Sequence, residues 1–296
     1  MDFSDVLLLS RLQEPSRASV LVSKLAEHGV NYSACVSLEK ATNDFAESLK
    51  KNDIVIISTG FPILKAKAAF ENDGPIGAVL LASLLESVDI STVFVVEKRL
   101  SRAMQQLCER SGVRFPIVVS ISPEERRFPD ILRGAKHPIV FIEKPGRSIG
   151  GKYLNMFGKD VSDYIYYPEL LEAVVEPELR LSLGDGGNEH GSLTLVGGDI
   201  ELGKKVGLQA FTTVDHFLLA GTSNLAATAL TISLSKQLNT DWQYSLEYER
   251  SLFEHAKEVN LVDGKYGWIN MSVDGISWDE YSRHLQVLAA LLDKKG

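Results

Sequence analysis

The sequence predicts a three-layer α/β fold: a mostly parallel, Rossmann-like sheet with helices on both faces. Three observations carry that prediction. Six short runs, at 53–59, 91–97, 115–121, 137–143, 179–185 and 215–221, are nearly continuous in Val, Ile, Leu and Phe instead of alternating, as strands covered on both faces require. Helical patterns such as GPIGAVLLASLLES, LSRAMQQLCERSG and SNLAATALTISLSKQL occupy most of the remaining chain, giving a β-α-β-α order. No repeat of fixed period and no Pro-, Gly- or Ser-rich linker divides the 296 residues, so the chain reads as one domain, 1–296.

Taken in order, residues 1–50 form a helical prelude. VLLLSRL and ASVLVSKLAEHG carry apolar residues at helical spacing, and the second ends in the His-Gly expected at a helix C-terminus. The six runs follow, joined by segments long enough for right-handed crossovers with a helix in each. Cys35 and Cys108 are far apart and form no CxxC, which points to structural thiols, not a disulfide framework or zinc site. Thirty-nine acids against 31 bases give a net charge of -8, with no basic run to track a phosphate backbone, so nucleic acid is not an expected partner. No stretch is apolar enough to span a membrane, and the acidic start MDFSD does not resemble a secretory signal. A cytoplasmic protein with no membrane partner is expected, and a homo-oligomer is compatible with all of this.

In open parallel sheets a ligand sits outside the carboxyl ends of the strands, which selects the motifs that matter. Four follow a run directly: STGFPI (58–63), IEKPGR (142–147), LGDGGNEHG (183–191) and AGTSN (220–224). A fifth, ENDGPIG (71–77), opens a helix. In the Gly-rich loop, Gly184, Gly186 and Gly187 leave backbone N–H groups unshielded for an anion, while Asp185, Asn188 and Glu189 offer oxygen to a hard cation or an ammonium. Glu71 and Asp73 bring two carboxylates to one turn, with Gly74 permitting close approach; capping alone would also explain Asp73. Lys144 and Arg147 are two cations suited to a carboxylate, with Tyr153 and Asn155 following in the same loop. Thr59 beside Gly60, and Ser223 beside Asn224, complete the set, although Ser223 could simply cap a helix. His190 lies next to the acidic loop. A GxSxG elbow, a GxGxxG fingerprint and a P-loop are all absent, so a serine hydrolase or a nucleotide enzyme is not supported.

Together ENDGPIGAVLLA, IEKPGRSIGGKYLNMFG, LGDGGNEHG, AGTSN, VDGKYGW and SVDG resemble the D-glutamate cyclase family, in the C-terminal portion of its two-part animal members and in its free-standing bacterial form, long a domain of unknown function. The resemblance runs in order from about residue 53 to 290, and GDGGNE is its most specific piece. The family's stretches read close to ETDGP, IERPGR with a following YxN, GDGGNEIGMG and SNWG. Here Asn72 stands for Thr, Lys144 for Arg, His190 for Ile, Ser192-Leu193 for Met-Gly and Leu225-Ala226 for Trp-Gly, while the acids and the glycine frame are intact.

The resemblance implies a hydro-lyase that closes D-glutamate, a small acidic amino acid, to 5-oxo-D-proline with loss of water. It makes Asp73, Asp185 and Glu189 the catalytic candidates. Asp185 or Glu189 would take the amine proton, Asp73 would hold the ammonium or a metal, Gly186-Gly187 would supply oxyanion N–H groups, and Lys144 with Arg147 would anchor a carboxylate. Two other readings stay open. One is an amino-acid or carboxylate binding protein with no turnover. The other is a lyase or hydrolase of another small acidic metabolite, with Asp73, Asp185 and Glu189 around Mg²⁺ or Mn²⁺.

Overall fold

The six apolar runs form six parallel strands in one sheet, five of them largely buried and the edge strand β5 mostly exposed or half-buried. In this computed structural model residues 6–7, 16–67, 69–114 and 116–293 are described. Of the predicted first helix, VLLLSRL, Val6 and Leu7 are helical and buried, and the rest lies outside the described residues, as does Phe115 of the third run. The sheet strands are β1 (Ile54–Thr59), β4 (Ser91–Glu97), β5 (Ile117–Ile121), β6 (Ile139–Ile142), β7 (Arg180–Gly184) and β8 (His216–Leu219). Two further two-stranded ribbons pair β2 (Pro62–Ile63) with β3 (Ala69–Phe70), and β9 (Ser272–Val273) with β10 (Ile276–Ser277).

The spatial order is β5-β4-β1-β6-β7-β8. Counting only the sheet strands in chain order, this is the 3-2-1-4-5-6 arrangement of a doubly wound sheet. The chain winds outward from β1 to β5, then returns to β1 and winds the other way, so the crevice between the carboxyl ends of β1 and β6 is the switch point.

Nine helices occur among the described residues: α1 (Arg17–Glu27), α2 (Ala34–Leu49), α3 (Pro75–Ser87), α4 (Lys98–Arg110), α5 (Pro168–Val175), α6 (Ile200–Val206), α7 (Ser223–Gln237), α8 (Leu246–Glu258) and α9 (Trp278–Asp293). They cover the two faces unequally. On one face α2, α3, α4, α7, α8 and α9 share a core with Val55, Ile57, Phe94, Val140, Ile142 and Leu183. On the other, α5 packs under Ile56, Val95 and Phe141, and α1 with α6 packs under Phe217 and Leu219. Helices α3 and α7 lie against each other and are buried all round, so neither shows an amphipathic stripe. Gly77 makes that contact close, since a Cβ there would stand 2.5 Å from the Ala227 methyl. Cys35 and Cys108 form no disulfide; Cys108 is buried in the larger core and Cys35 packs against it half-buried. No described helix is long and apolar enough to cross a membrane.

Candidate active site

Chain segments distant in sequence meet at the switch point. Thr59 ends β1, Glu143 follows β6, Asp185 follows β7, and Ser223 and Asn224 open α7 after β8. Asp73 sits just ahead of α3, which starts at Pro75 behind Gly74 at φ 91°.

Asp73 does not cap its own helix. Its Oδ1 accepts the Asn224 N–H at 2.7 Å and its Oδ2 the Ser223 N–H at 2.9 Å, so it closes the first turn of α7. Asn224 reciprocates. Its Oδ1 accepts the Gly74 and Gly77 N–H groups at 2.8 and 2.9 Å and so caps α3, while its Nδ2 donates to the Asn72 carbonyl at 3.1 Å. Each helix thus lends the other a side chain, and two positive helix ends converge on one point.

Around that point the structure gathers more carboxyls than sequence spacing revealed. Ligand oxygens of Asp73, Asp185 and Asp274 lie within 4.8 Å of one another, as do those of Glu143, Asp185 and Glu189. Asp274 arrives on the tight turn Asp274-Gly275 between β9 and β10, both residues at positive φ, which suits an Asp-Gly hairpin. Asp263 fixes that turn, its Oδ2 accepting from Ser272 Oγ at 2.6 Å and from the Gly275 N–H at 2.8 Å. Glu143 occupies φ 48°, an unfavourable backbone for a side-chain residue, and its Oε2 accepts from Ser223 Oγ at 2.5 Å. Glu71 completes the set, with the Gly264 backbone so close that a Cβ there would stand 2.5 Å from Asp274 Oδ1 and against the Glu71 carboxyl.

So many buried acids cannot all be ionised. Burial, reinforced by the neighbouring carboxylates, pushes Glu71, Glu143 and Asp185 well above the usual carboxylate range. The same two causes raise Asp274 to about 7, and they raise Asp73 to about 8 despite its three backbone donors. Asp185 and Asp274 bear on each other's protons, Asp274 raising Asp185 while the Asp185 side chain lowers Asp274. The cation that reaches Asp185 is Arg17 from α1. Its Nη1 is 3.9 Å from Asp185 Oδ1, and its Nη2 donates to Asn188 Oδ1 at 3.1 Å.

Several expected residues stand elsewhere. Lys144 is sealed on the opposite face of the sheet, paired with Glu97 and lying 4.0 Å from the Tyr166 ring. The reason is the kink at Glu143. Val140 and Ile142 face α3 and α7, and a regular pleat would send Lys144 the same way, but the left-handed residue reverses the alternation. Arg147 is exposed outside the cleft, and Tyr153 is buried with its hydroxyl donating to Glu169 at 2.7 Å, so neither faces the acids. The Gly186 and Gly187 N–H groups, expected to receive a substrate oxyanion, donate at 3.0 and 2.8 Å to Glu189, whose carboxylate organises the loop from within. His190 is buried against Phe141, between Glu172 and Thr212. Thr59 is buried beside Gly74 and Glu143, and no partner is seen for its Oγ1 among the described residues. Gly60 packs on Phe70 at φ 113°.

Arg17, Glu71, Glu143, Asn155, Asp185, Asn188 and Asp274 line a cleft of 570 Å³, together with Lys65, Lys159, Lys265 and an apolar set that includes Phe61, Met156 and Phe157. Arg17, Glu143 and Asp274 were not candidates from sequence. Arg17 looks like one cation on an amphipathic helix and gives no signal; Val-Asp-Gly-Ile is a hairpin signature that could have drawn attention to Asp274.

With the cleft and its acids in place, the likeness to known proteins can be weighed. A family model described as "D-glutamate cyclase-like, C-terminal" matches residues 18–291. The human protein named "D-glutamate cyclase, mitochondrial" is 28% identical over 292 residues, an alignment covering 83% of this chain and 46% of that protein. The chain therefore spans less than half the length of that relative. The matched stretch begins one residue after Arg17 and runs through the Asp274 hairpin into α9, taking in every strand of the sheet; the chain belongs to the D-glutamate cyclase-like C-terminal family.

Proposed function

We propose that the cleft closes D-glutamate to 5-oxo-D-proline with release of water, the Asp185–Asp274 pair serving as acid and base. The observation that carries this reading is the meeting of the Asp185 and Asp274 carboxyls, within 4.8 Å of each other, in a cleft that also contains Arg17, with burial raising Asp274 to about 7. A γ-carboxylate is a poor electrophile, and a proton delivered to it makes it one. The amine, stripped of one proton by the carboxylate partner, attacks the γ-carbon; the N–C bond forms, the C–O bond breaks, and the departing hydroxyl takes the second proton lost by the nitrogen, passed through the pair, to leave as water. Arg17, in place of Lys144 and Arg147, anchors the α-carboxylate. Glu71, which lines the cleft, receives the amino group before it loses its proton.

A second reading is favoured by the two carboxylate trios, which share Asp185. An all-oxygen set of this kind fits Mg²⁺ or Mn²⁺, which would polarise the γ-carboxyl oxygen.

The test incubates the protein with D- and L-glutamate, with and without EDTA, and follows 5-oxoproline by chiral chromatography. Formation of 5-oxo-D-proline that survives EDTA is the expected result. Turnover lost to EDTA and restored by Mg²⁺ or Mn²⁺ would favour the metal-assisted form, and thermal stabilisation by D-glutamate without product would leave a binding protein.

A further inference from the structure

The cleft is of mixed character. Carboxyls and Arg17 line it together with an apolar set, Phe61, Ile63, Leu64, Met156, Phe157 and Ile276, and the side chains of Lys65, Lys159 and Lys265. At 570 Å³ it falls in the range of roughly 300–1,000 Å³ that takes drug-sized ligands, and a free amino acid the size of glutamate fills only a fraction of it. The turn carrying Met156 and Phe157 is tightly fixed: Asn155 Oδ1 accepts the Phe157 and Lys159 N–H groups, both at 3.0 Å. That turn holds Met156 at 41% and Phe157 at 68% exposure, at the mouth of the cleft. Exposed apolar side chains on a rigid turn add nothing to the core, but they offer a surface to whatever projects outward from the acids.

We infer that the cleft accepts γ-substituted D-glutamate, a γ-glutamyl amide whose leaving amine is apolar and lies along Phe61, Met156 and Phe157. This rests on the cyclisation proposed above and names a wider substrate class for it. The chemistry balances without a co-reactant. The α-amine forms the new N–C bond to the γ-carbonyl carbon, the amide C–N bond breaks, and the departing amine takes the proton that the Asp185–Asp274 pair delivers. Free glutamate must expel water from a carboxyl group; the amide begins with an uncharged carbonyl and places apolar surface against the apolar set.

The probe is D-γ-glutamyl-4-nitroanilide, compared with D-glutamate on the full chain by release of 4-nitroaniline and by 5-oxoproline, against a protein-free blank. The expected result is a kcat/KM for the anilide at least tenfold above that for D-glutamate. Phe157→Ala and Met156→Ala should each lower the ratio of the two kcat/KM values, by roughly tenfold for Phe157→Ala from the lost apolar contact. Cyclisation of D-glutamate with the anilide inert, or a ratio that neither substitution moves, would overturn the inference while sparing the proposed reaction. Turnover of the anilide alone would uphold the inference and remove the free amino acid as substrate, and inertness of both would overturn the two together.

Discussion

Asp73 and Asp185 are neighbours with different attachments, which separates what their amides should do. Asp185 meets Asp274 and Arg17, while Asp73 receives three backbone N–H groups. Asp185→Asn should abolish turnover at a cost of about 1 kcal/mol or less, because an amide keeps the shape of the buried carboxyl but cannot exchange its proton with Asp274. Asp73→Asn should cost about 2 kcal/mol, since an amide offers one acceptor oxygen and turns its own N–H groups toward backbone donors. Activity and urea unfolding measured on both variants check this, and a larger loss of stability for Asp185→Asn would contradict it. At this scale the sequence shows the acids that stand beside glycine at strand ends, because a bare turn advertises a ligand. Partners set by backbone handedness stay hidden. Glu143 and Lys144 are adjacent and equally plausible on paper, and only the left-handed φ of Glu143 decides which of them meets Asp185's neighbourhood.

Among the elements, α3 and α7 depend on each other's side chains for their first turns. Asn224→Ala should strand the Gly74 and Gly77 N–H groups in a dry interior and cost about 2 kcal/mol, read as a fall in the urea midpoint with an unchanged slope. Asn155→Ala, on an exposed turn, serves as the comparison and should cost less. Five of the six sheet strands are legible as apolar runs because burial on both faces leaves them no polar side, while β5 at the sheet edge is apolar yet largely uncovered. The ribbons β2–β3 and β9–β10 are too short to show a period, although they carry or flank Glu71 and Asp274. The pairing of α3 with α7 is equally silent in a linear reading, since caps exchanged between helices leave no local signature.

Taken as a whole, the molecule carries a pH dependence set by its buried acids. Glu71, Asp73, Glu143, Asp185 and Asp274 all bind protons more tightly folded than unfolded. For acids shifted upward, the stabilisation is complete below the unfolded value near pH 4 and is lost as pH rises through the folded values. The melting temperature of the ligand-free protein should therefore fall between about pH 5 and pH 8. A scan in a series of buffers measures it, and a flat or rising profile would mean that the cluster does not hold its protons. The doubly wound order is legible only as far as the β-α alternation. That β1 lies at the centre of the sheet, making its carboxyl end the crevice, follows from strand pairing and not from any one segment.

Arg17 and Asp274 stand on the first and last parts of the described chain, yet they meet the same carboxyl, Asp185. Loop closure over such a separation comes late, after local helices and neighbouring strands have already formed. Refolding from urea should restore far-ultraviolet circular dichroism before it restores any catalytic turnover or ligand binding, so the cleft reports on the end of folding. Equal rates by both probes would mean that the terminal segments dock together with the sheet.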